Sequence, residues 1–524
     1  MKSKLSLFSI SMALCLLILP LSAQLSPKQI DRLVENAMEK FTVAGVAVGV
    51  VKDGEIVHAR GYGLKSVDSN EKVDEQTSFA IASNSKAFTA AAVALLVEEG
   101  KLGWNDRVID HIPEFKMYND YVTQNFIVQD LLTHRSGLGL GAGDLQFWPS
   151  GGDFTMDDLL TNFQYFEPVS PFRTKYDYDN ILYTITGELI KRSSGLSWED
   201  FVIQRIMEPL GMDNSCTLPP GVTKLSNLAS PHLVTDGELK TMEWFSIDHE
   251  KLNGALGGVL SNAEDMCKWL LLQLNHGKYG EGLNKQLFSE TSQREMWKIH
   301  TTIPVRPSER YNPHYSGYGL GWRLGDMMGN MTVSHTGDYA GMLSKTIMLP
   351  DLDLGVVVLT NSYYGGGPLF QAVSLSIVDA YLGLKDYEWT EYYLERYLRS
   401  AGNASAEVER VWKVVEEGDH HGVIIENYLG LYEDPWFGKV EIYLKEGKPW
   451  FRSHRSPKLT GPMYHYKANA FAIKWEIREL DADAFVLFSL DEEGRARGIS
   501  MKGVAPDLDF SYDFHDLNFH RVMD

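Results

Sequence analysis

Cysteine is scarce in this sequence, with three among 524 residues. Cys15 lies in an apolar stretch near the start, which leaves Cys216 and Cys267, 51 positions apart. A fold held together by a network of disulfides is thereby excluded. The two distant cysteines read as small buried apolar residues. Positive charge is also short: 49 Lys and Arg stand against 70 Asp and Glu, a net charge of −21. So acidic a chain argues against nucleic acid and anionic membranes as partners. After residue 23 no apolar run is long enough to cross a bilayer, so no stable transmembrane partner is implied. Internal repeats and low-complexity tracts are missing. No cofactor is implied, since Gly365-Gly366-Gly367 lacks the lysine and helix context of a phosphate loop. No metal is assigned either, Asp419-His420-His421 reading as a solvated linker.

The first 23 residues differ from the rest. Lys2 and Lys4 precede an apolar run from Leu5 to Leu21, and Ser22-Ala23 offers a small-residue cleavage site before Gln24. This layout is that of a secretory signal peptide and predicts a periplasmic or secreted protein.

The chain is 44% hydrophobic and long enough for more than one core. The apolar run Gly45 to Val51, the turn Lys52-Asp53-Gly54 and the extended run Glu55 to Gly61 predict a β-hairpin. Ala87 to Glu99 predicts a buried helix that stops at Gly100, which places Ser83 at a helix entrance. Residues 105–300 are rich in helix and loop. Strand-like runs return at 331–334, 344–348 and 354–360, before a helix from Phe370 to Leu382. A chain that opens and closes on strands predicts an α/β (α+β) domain over 28–385, its two ends joined in one antiparallel sheet. Residues 386–424 predict a helical linker. Across 425–524, short runs at 439–444, 449–452, 470–477, 484–489 and 508–514 predict an all-β, barrel-like module. That module either caps a site or mediates a homo-oligomer.

Three short patterns carry chemistry. In Ser83-Asn84-Ser85-Lys86, residues three apart at a helix start share one face, so Lys86 can reach Ser83. A serine hydroxyl is a poor nucleophile until its proton is removed. Desolvation and the positive helix end favour a neutral lysine able to take that proton. In Tyr178-Asp179-Asn180, a phenol can relay a proton and an amide can hold the lysine or a substrate carbonyl. In Ser334-His335-Thr336-Gly337-Asp338, the backbone N–H of Asp338 can join that of Ser83 in an oxyanion hole. Each pattern alone is common by chance. G-x-S-x-G is not found around Ser83, which argues against an α/β-hydrolase.

Together, Ser-x-x-Lys, Tyr-x-Asn and His-x-Gly in this order resemble the site of the serine β-lactamase and penicillin-binding protein fold, where the related S-x-x-K, S-D-N, K-T-G set occurs. The resemblance is closest to the class C β-lactamase-like serine hydrolases, which include D-alanyl-D-alanine carboxypeptidases, D-aminopeptidases and some esterases. Phe79 to Lys86 (FAIASNSK), Leu131 to Leu138 (LLTHRSGL), Gly257 to Ser261 with Asp265, and Gly317 to Trp322 (GYGLGW) are similar to further segments of that group. Residues 425–524 resemble the lipocalin-like β-module often appended to it. The resemblance implies an antiparallel sheet flanked by helices and an acyl-enzyme hydrolase of amide or ester bonds in small-molecule or peptide substrates. It implies Ser83 as nucleophile, Lys86 as its base partner, Tyr178 as proton relay and Asn180 as a substrate-positioning amide. His335 and Gly337 then lie on the strand beside the substrate.

Two departures matter. His335 stands where many relatives carry lysine, which removes a permanent charge that would hold a β-lactam or D-alanine carboxylate. That favours a peptidase, amidase or esterase over a β-lactamase, and the intact Ser83, Lys86 and Tyr178 set argues against a catalytically silent penicillin-binding scaffold. Asp179 stands in place of a serine and is expected to point away from Lys86. Phe147, Trp148 and Tyr339 are expected to wall an apolar subsite.

Overall fold

A computed structural model describes residues 25–218, 225–235, 237–242, 252, 254–418 and 423–523. The signal-like segment 1–23 and Asp419-His420-His421 lie outside the described residues.

Helix α1 (Pro27–Phe41) opens with Pro27 at its first position and a Ser26/Gln29 capping box. It buries Ile30, Val34, Ala37 and Phe41, a single face at helical spacing. The predicted hairpin follows as β1 (Gly45–Lys52) and β2 (Glu55–Gly63). Asp53 and Gly54 both take positive φ, 51° and 80°, as a two-residue turn matched to strand twist requires. The sheet continues far along the chain with β3 (Thr301–Thr302), β4 (Ser316–Tyr318), β5 (Arg323–Met327), β6 (Asn330–Tyr339), β7 (Met342–Leu349) and β8 (Leu354–Thr360). Its order is β3-β4-β5-β6-β7-β8-β1-β2, all antiparallel. β1 pairs with β8, Val46 opposite Thr360, so both ends of the domain share one sheet.

Both faces of that sheet are covered, because side chains alternate along each strand. Val46, Val48 and Val50 pack with α1 and α5 (Tyr363–Tyr381). Ala47 and Val51 join the opposite core, which includes α2 (Ser85–Glu98), α3 (Ile181–Ser194) and α4 (Ala263–Leu274). Cys216 and Cys267 are buried and unbridged. The glycine triplet Gly365–Gly367 lies inside the first turns of α5 rather than ahead of it.

The predicted linker is largely one 29-residue helix, α6 (Trp389–Glu417), about 43 Å long at 1.5 Å per residue. The Trp389 indole donates to Asp379 of α5, and the Trp412 indole to Asp483 in the C-terminal module. It therefore braces the two parts rather than merely joining them.

The C-terminal module is a closed eight-stranded barrel: β9 (Gly430–Asp434), β10 (Gly438–Lys445), β11 (Lys448–Ser453), β12 (Thr460–Lys467), β13 (Ala470–Ile473), β14 (Ala484–Leu490), β15 (Ala496–Gly503) and β16 (Asn518–Arg521). Phe451, Phe471, Trp475, Phe488 and Phe519 are buried in its core. The core runs on into the first domain, where Trp436 and Phe437 meet Phe166 and Phe154 at ring-centroid distances of 4.8 and 5.8 Å. One expectation fails here. Leu508 to Phe514 is not a strand but a loop between β15 and β16, ended by a short 3₁₀ turn at Phe514–Asp516. Asp509 turns it by accepting the Ser511 backbone N–H on its own carboxylate at 2.9 Å, chemistry that competes with strand pairing.

Candidate active site

Ser83 sits in the single 3₁₀ turn Ala82–Asn84 that feeds α2. Ala82 before it holds φ at 50°, in the left-handed region that costs a residue with a Cβ on the order of 1–2 kcal/mol. The surrounding packing enforces it. Helix α2 is buried from Ser85 to Leu96 on all sides, with Phe88 stacked on Trp269 at 4.0 Å. A central helix of this kind cannot shift, so the nucleophile turn at its entrance is fixed.

Lys86, the second residue of that helix, is 0% exposed. Its Nζ donates to Ser83 Oγ at 2.9 Å, Asn180 Oδ1 at 2.8 Å and the Leu256 carbonyl at 2.9 Å. Burial pushes its pKa down to about 7; the Asp144 carboxylate opposes the shift and the Arg323 cation adds to it. A group with that pKa is half deprotonated at neutral pH and faces the hydroxyl it would activate.

Asn180 stands just before α3 and, rather than capping it, is held at both ends of its amide. Its Oδ1 accepts from Lys86, and its Nδ2 donates to Asp144 Oδ2 at 2.7 Å. Asp144 is fully buried on a short turn, Asp144–Gln146, and burial pushes its carboxyl up to about 8. Tyr178 is buried, with the Lys86 ammonium 4.9 Å from its ring centroid and the His134 ring 4.1 Å away. Burial pushes its phenol upward, while Ser83 is close enough to pull the other way, so the phenol keeps its proton at neutral pH. The hydroxyl has no partner at full hydrogen-bond geometry, a loose contact of the kind that tightens when substrate arrives. Asp179 points away from the lysine, its carboxylate accepting from Ser136 Oγ at 2.6 Å.

His335 is buried on β6. Its Nδ1 lies 2.7 Å from the Thr336 carbonyl, which can only accept, so Nδ1 carries the hydrogen and Nε2 accepts from Tyr318 at 2.9 Å. Burial, Arg323 and Lys86 hold its pKa well below the usual range, so it is neutral. The strand beyond it pairs only with β7, leaving its other edge against the Ser83 turn. Gly337 is required there for a reason other than substrate access. A Cβ at this position would lie 2.2 Å from the Ile81 carbonyl and 2.9 Å from Ala82 Cβ. Glycine lets the strand close on the nucleophile turn.

These residues share one cavity of about 610 Å³, lined among others by Ser83, Tyr178, Asn180, His335, Gly337 and Asp338. Phe147, Trp148 and Tyr339 line it too, with Phe510 and Tyr512 from the barrel. Three charged or polar residues of the site were not singled out from the sequence. Arg323 is mostly buried, its guanidinium 5.5–5.9 Å from the rings of Tyr176, Tyr178 and Tyr318. It directly follows the GYGLGW segment, a position that could have flagged it. His134 lies inside the LLTHRSGL segment, which could have flagged it in the same way; Asp144 carries no comparable signal.

The sheet flanked by helices, with this constellation on it, defines a hydrolase fold of the β-lactamase and penicillin-binding protein class. The Beta-lactamase family profile matches residues 30–373, and this chain belongs to that family. A Domain of unknown function (DUF3471) matches residues 416–521. The chain is 26% identical over 386 residues to Unguisins hydrolase ungD' of Aspergillus campestris, covering 70% of this chain and 68% of the relative. It is 26% identical over 353 residues to Protein flp of Staphylococcus aureus, covering 64% and 63%. Among solved structures, the octameric penicillin-binding protein homologue from Pyrococcus abyssi superposes with a TM-score of 0.59 at 21% identity, over 94% of this chain and all of that one. SurE follows with 0.55 at 18% identity, over 95% and 99%.

Proposed function

We propose that this protein is a serine acyl-transfer hydrolase that cleaves an amide or ester bond in a small peptide-like substrate after export. The observation that carries the reading is Lys86: buried, near-neutral in pKa and 2.9 Å from Ser83. Neutral Lys86 takes the Ser83 proton as Oγ attacks the substrate carbonyl. The developing oxyanion is met by the backbone N–H groups of Ser83 and Asp338. Tyr178, protonated and beside both residues, hands its proton to the leaving group as the acyl-enzyme forms and regains one from the protonated Lys86. Water then adds to the acyl carbonyl along the same route reversed, releasing the acid and restoring the Ser83 hydroxyl. Export is supported by the basic-then-apolar layout of residues 1–23, and hydrolysis by the name of the ungD' relative.

The decisive experiment is a fluorophosphonate probe read by peptide mass, with a panel of p-nitrophenyl esters, D-aminoacyl amides, D-Ala-D-Ala peptides and nitrocefin. A single labelled peptide containing Ser83 is expected; label elsewhere, or none, overturns the mechanism. The rate should also follow the lysine. Since only neutral Lys86 accepts a proton, kcat/KM is expected to rise with pH through about 7. A profile that is flat or falling between pH 6 and 8 would contradict the assignment.

Arg323 refines the substrate. His335 is neutral, so the cation of the cleft comes instead from the neighbouring strand. A substrate carboxylate near the scissile bond would meet it. Arg323→Ala is expected to raise KM for carboxylate-bearing peptides about tenfold to a hundredfold, the scale of one charge-assisted hydrogen bond, and to leave neutral esters nearly unchanged. Equal losses on both substrate types would remove the carboxylate role.

A further inference from the structure

The barrel reaches the catalytic machinery through one loop. Between β15 and β16, residues 505–513 run back to the cleft, where Asp509, Phe510, Ser511 and Tyr512 line the cavity. Ser511 Oγ donates to Asp144 Oδ2 at 2.9 Å, the same oxygen that accepts from Asn180 Nδ2 at 2.7 Å. Asn180 Oδ1 accepts from Lys86 at 2.8 Å, and Lys86 donates to Ser83 at 2.9 Å. The backbone on either side of Asp144 is held by the same loop: Gly143 N–H and Leu145 N–H donate to the two carboxylate oxygens of Asp513 at 2.8 and 2.9 Å. Contact is too close for a side chain at Gly141, where a Cβ would lie 2.6 Å from the Phe510 carbonyl. Asp144 and Asp513 are fully buried, and Ser511 is half-buried at the rim of the cavity.

We propose that Ser511 is a positioning residue of the hydrolase: the C-terminal barrel sets the catalytic lysine through the hydrogen-bond chain Ser511–Asp144–Asn180–Lys86. The inference rests on the acyl-enzyme reading above and adds that the barrel is part of the active site rather than an appendage to it. Its logic is local. The Ser511 hydroxyl favours the charged form of Asp144, and the charged form of Asp144 favours protonated Lys86. Loss of the hydroxyl leaves Asp144 more often neutral, loosens the grip on Asn180 and makes Lys86 a weaker base. The other groups facing Asp144 are Tyr178 and Asp179 from the segment before α3, and Asp509 and Asp513 from the barrel loop. Those facing Lys86 are Tyr178, Tyr183, Arg323, His134 and His335. None of them changes in the variants below.

The test uses the full chain, with the rate of fluorophosphonate labelling at Ser83 and the pH profile of kcat/KM on the best panel substrate. Ser511→Ala is expected to slow labelling about tenfold, the scale of a small misplacement at a catalytic group, and to move the acid limb to lower pH. Asp144→Asn should move that limb further in the same direction, and Ser511→Thr, which keeps the hydroxyl, should restore most of the wild-type profile. A slower rate with an unmoved limb is the mark of a merely structural contact and overturns the proposal, as does a limb that moves upward. A wild-type enzyme that takes no label at Ser83 fails the acyl-enzyme reading itself; a labelled wild type with an unmoved Ser511→Ala limb fails only the role of the barrel.

Discussion

Ser83→Ala is expected to reduce turnover by on the order of 10⁵-fold, to the level left by binding and oxyanion contacts alone. The lysine has three hydrogen-bond acceptors, all on residues that line the cavity, and of the three only Ser83 Oγ can act as a nucleophile. Removing Oγ therefore removes the group that forms the covalent bond and leaves the base with nothing to activate except water. The change deletes one atom at a partly exposed position, so the variant should fold normally. The measurement is kcat on the best panel substrate with intact mass after probe treatment. Turnover within tenfold of wild type, or a persisting label, would place the nucleophile elsewhere.

Lys86→Met should separate activity from stability. The rate is expected to fall about 10³- to 10⁴-fold, the scale of losing a general base. Stability should move with pH in a particular sense. Lys86 titrates near 7 in the folded protein and near its ordinary value, 10.5, when unfolded. The unfolded chain therefore holds the extra proton across that window, and wild-type stability rises with pH from about 7 upward. Below 7 the buried charge costs the folded state its full penalty, on the order of 1.4 kcal/mol per unit of pKa depression. Methionine removes that penalty but leaves Asn180 Oδ1 and the Leu256 carbonyl without their donor, at about 1–3 kcal/mol each. The two terms are comparable, so the difference between the variants is less informative than its slope. Relative to wild type, Lys86→Met should melt highest at pH 6 and lose ground steadily toward pH 9. A constant difference in Tm across that range would mean that Lys86 is not depressed. Lys345 is buried too, with its own pKa near 7, but it is common to both proteins and cancels.

A stability cost at Lys86, left-handed backbone at Ala82 and a buried neutral histidine at position 335 all fall in one place. Functional sites are where local preference is overridden by the surrounding structure. It is also where the sequence was most legible. Ser83, Lys86, Tyr178, Asn180, His335, Gly337 and Asp338 were read from three short patterns; the structure sets six of them around one cavity, with Lys86 buried behind Ser83 and Asn180. They were legible because chemistry constrains residue type and spacing within a few positions. The hairpin at Asp53-Gly54 and the buried helix after Ser83 were legible for the same reason, being properties of neighbours along the chain.

Asp144 shows the opposite case. An aspartate in a loop of mixed composition carries no local mark, and its place beside Asn180 depends on Ser511, 367 positions away. Arg323 lay one residue beyond a recognised segment, yet its entry into the cleft depends on β5 lying beside β6. The stretch 508–514 has the apolar content of a strand, yet Phe510 packs on Tyr178 of the first domain while Phe514 packs on Trp475 of the barrel, so its side chains serve two cores and no strand forms.

What the sequence determined by itself was the set of local elements, the order of catalytic motifs and the family to which they belong. Those rest on interactions within a turn or two of chain, where residue identity dictates geometry. What only the tertiary structure decided was the environment of those groups: which lysine is desolvated, which cation replaces the missing one, and that the barrel reaches Ser83 through Asp144. Desolvation and charge coupling act through space, and nothing in one dimension records which distant residues will share a cavity.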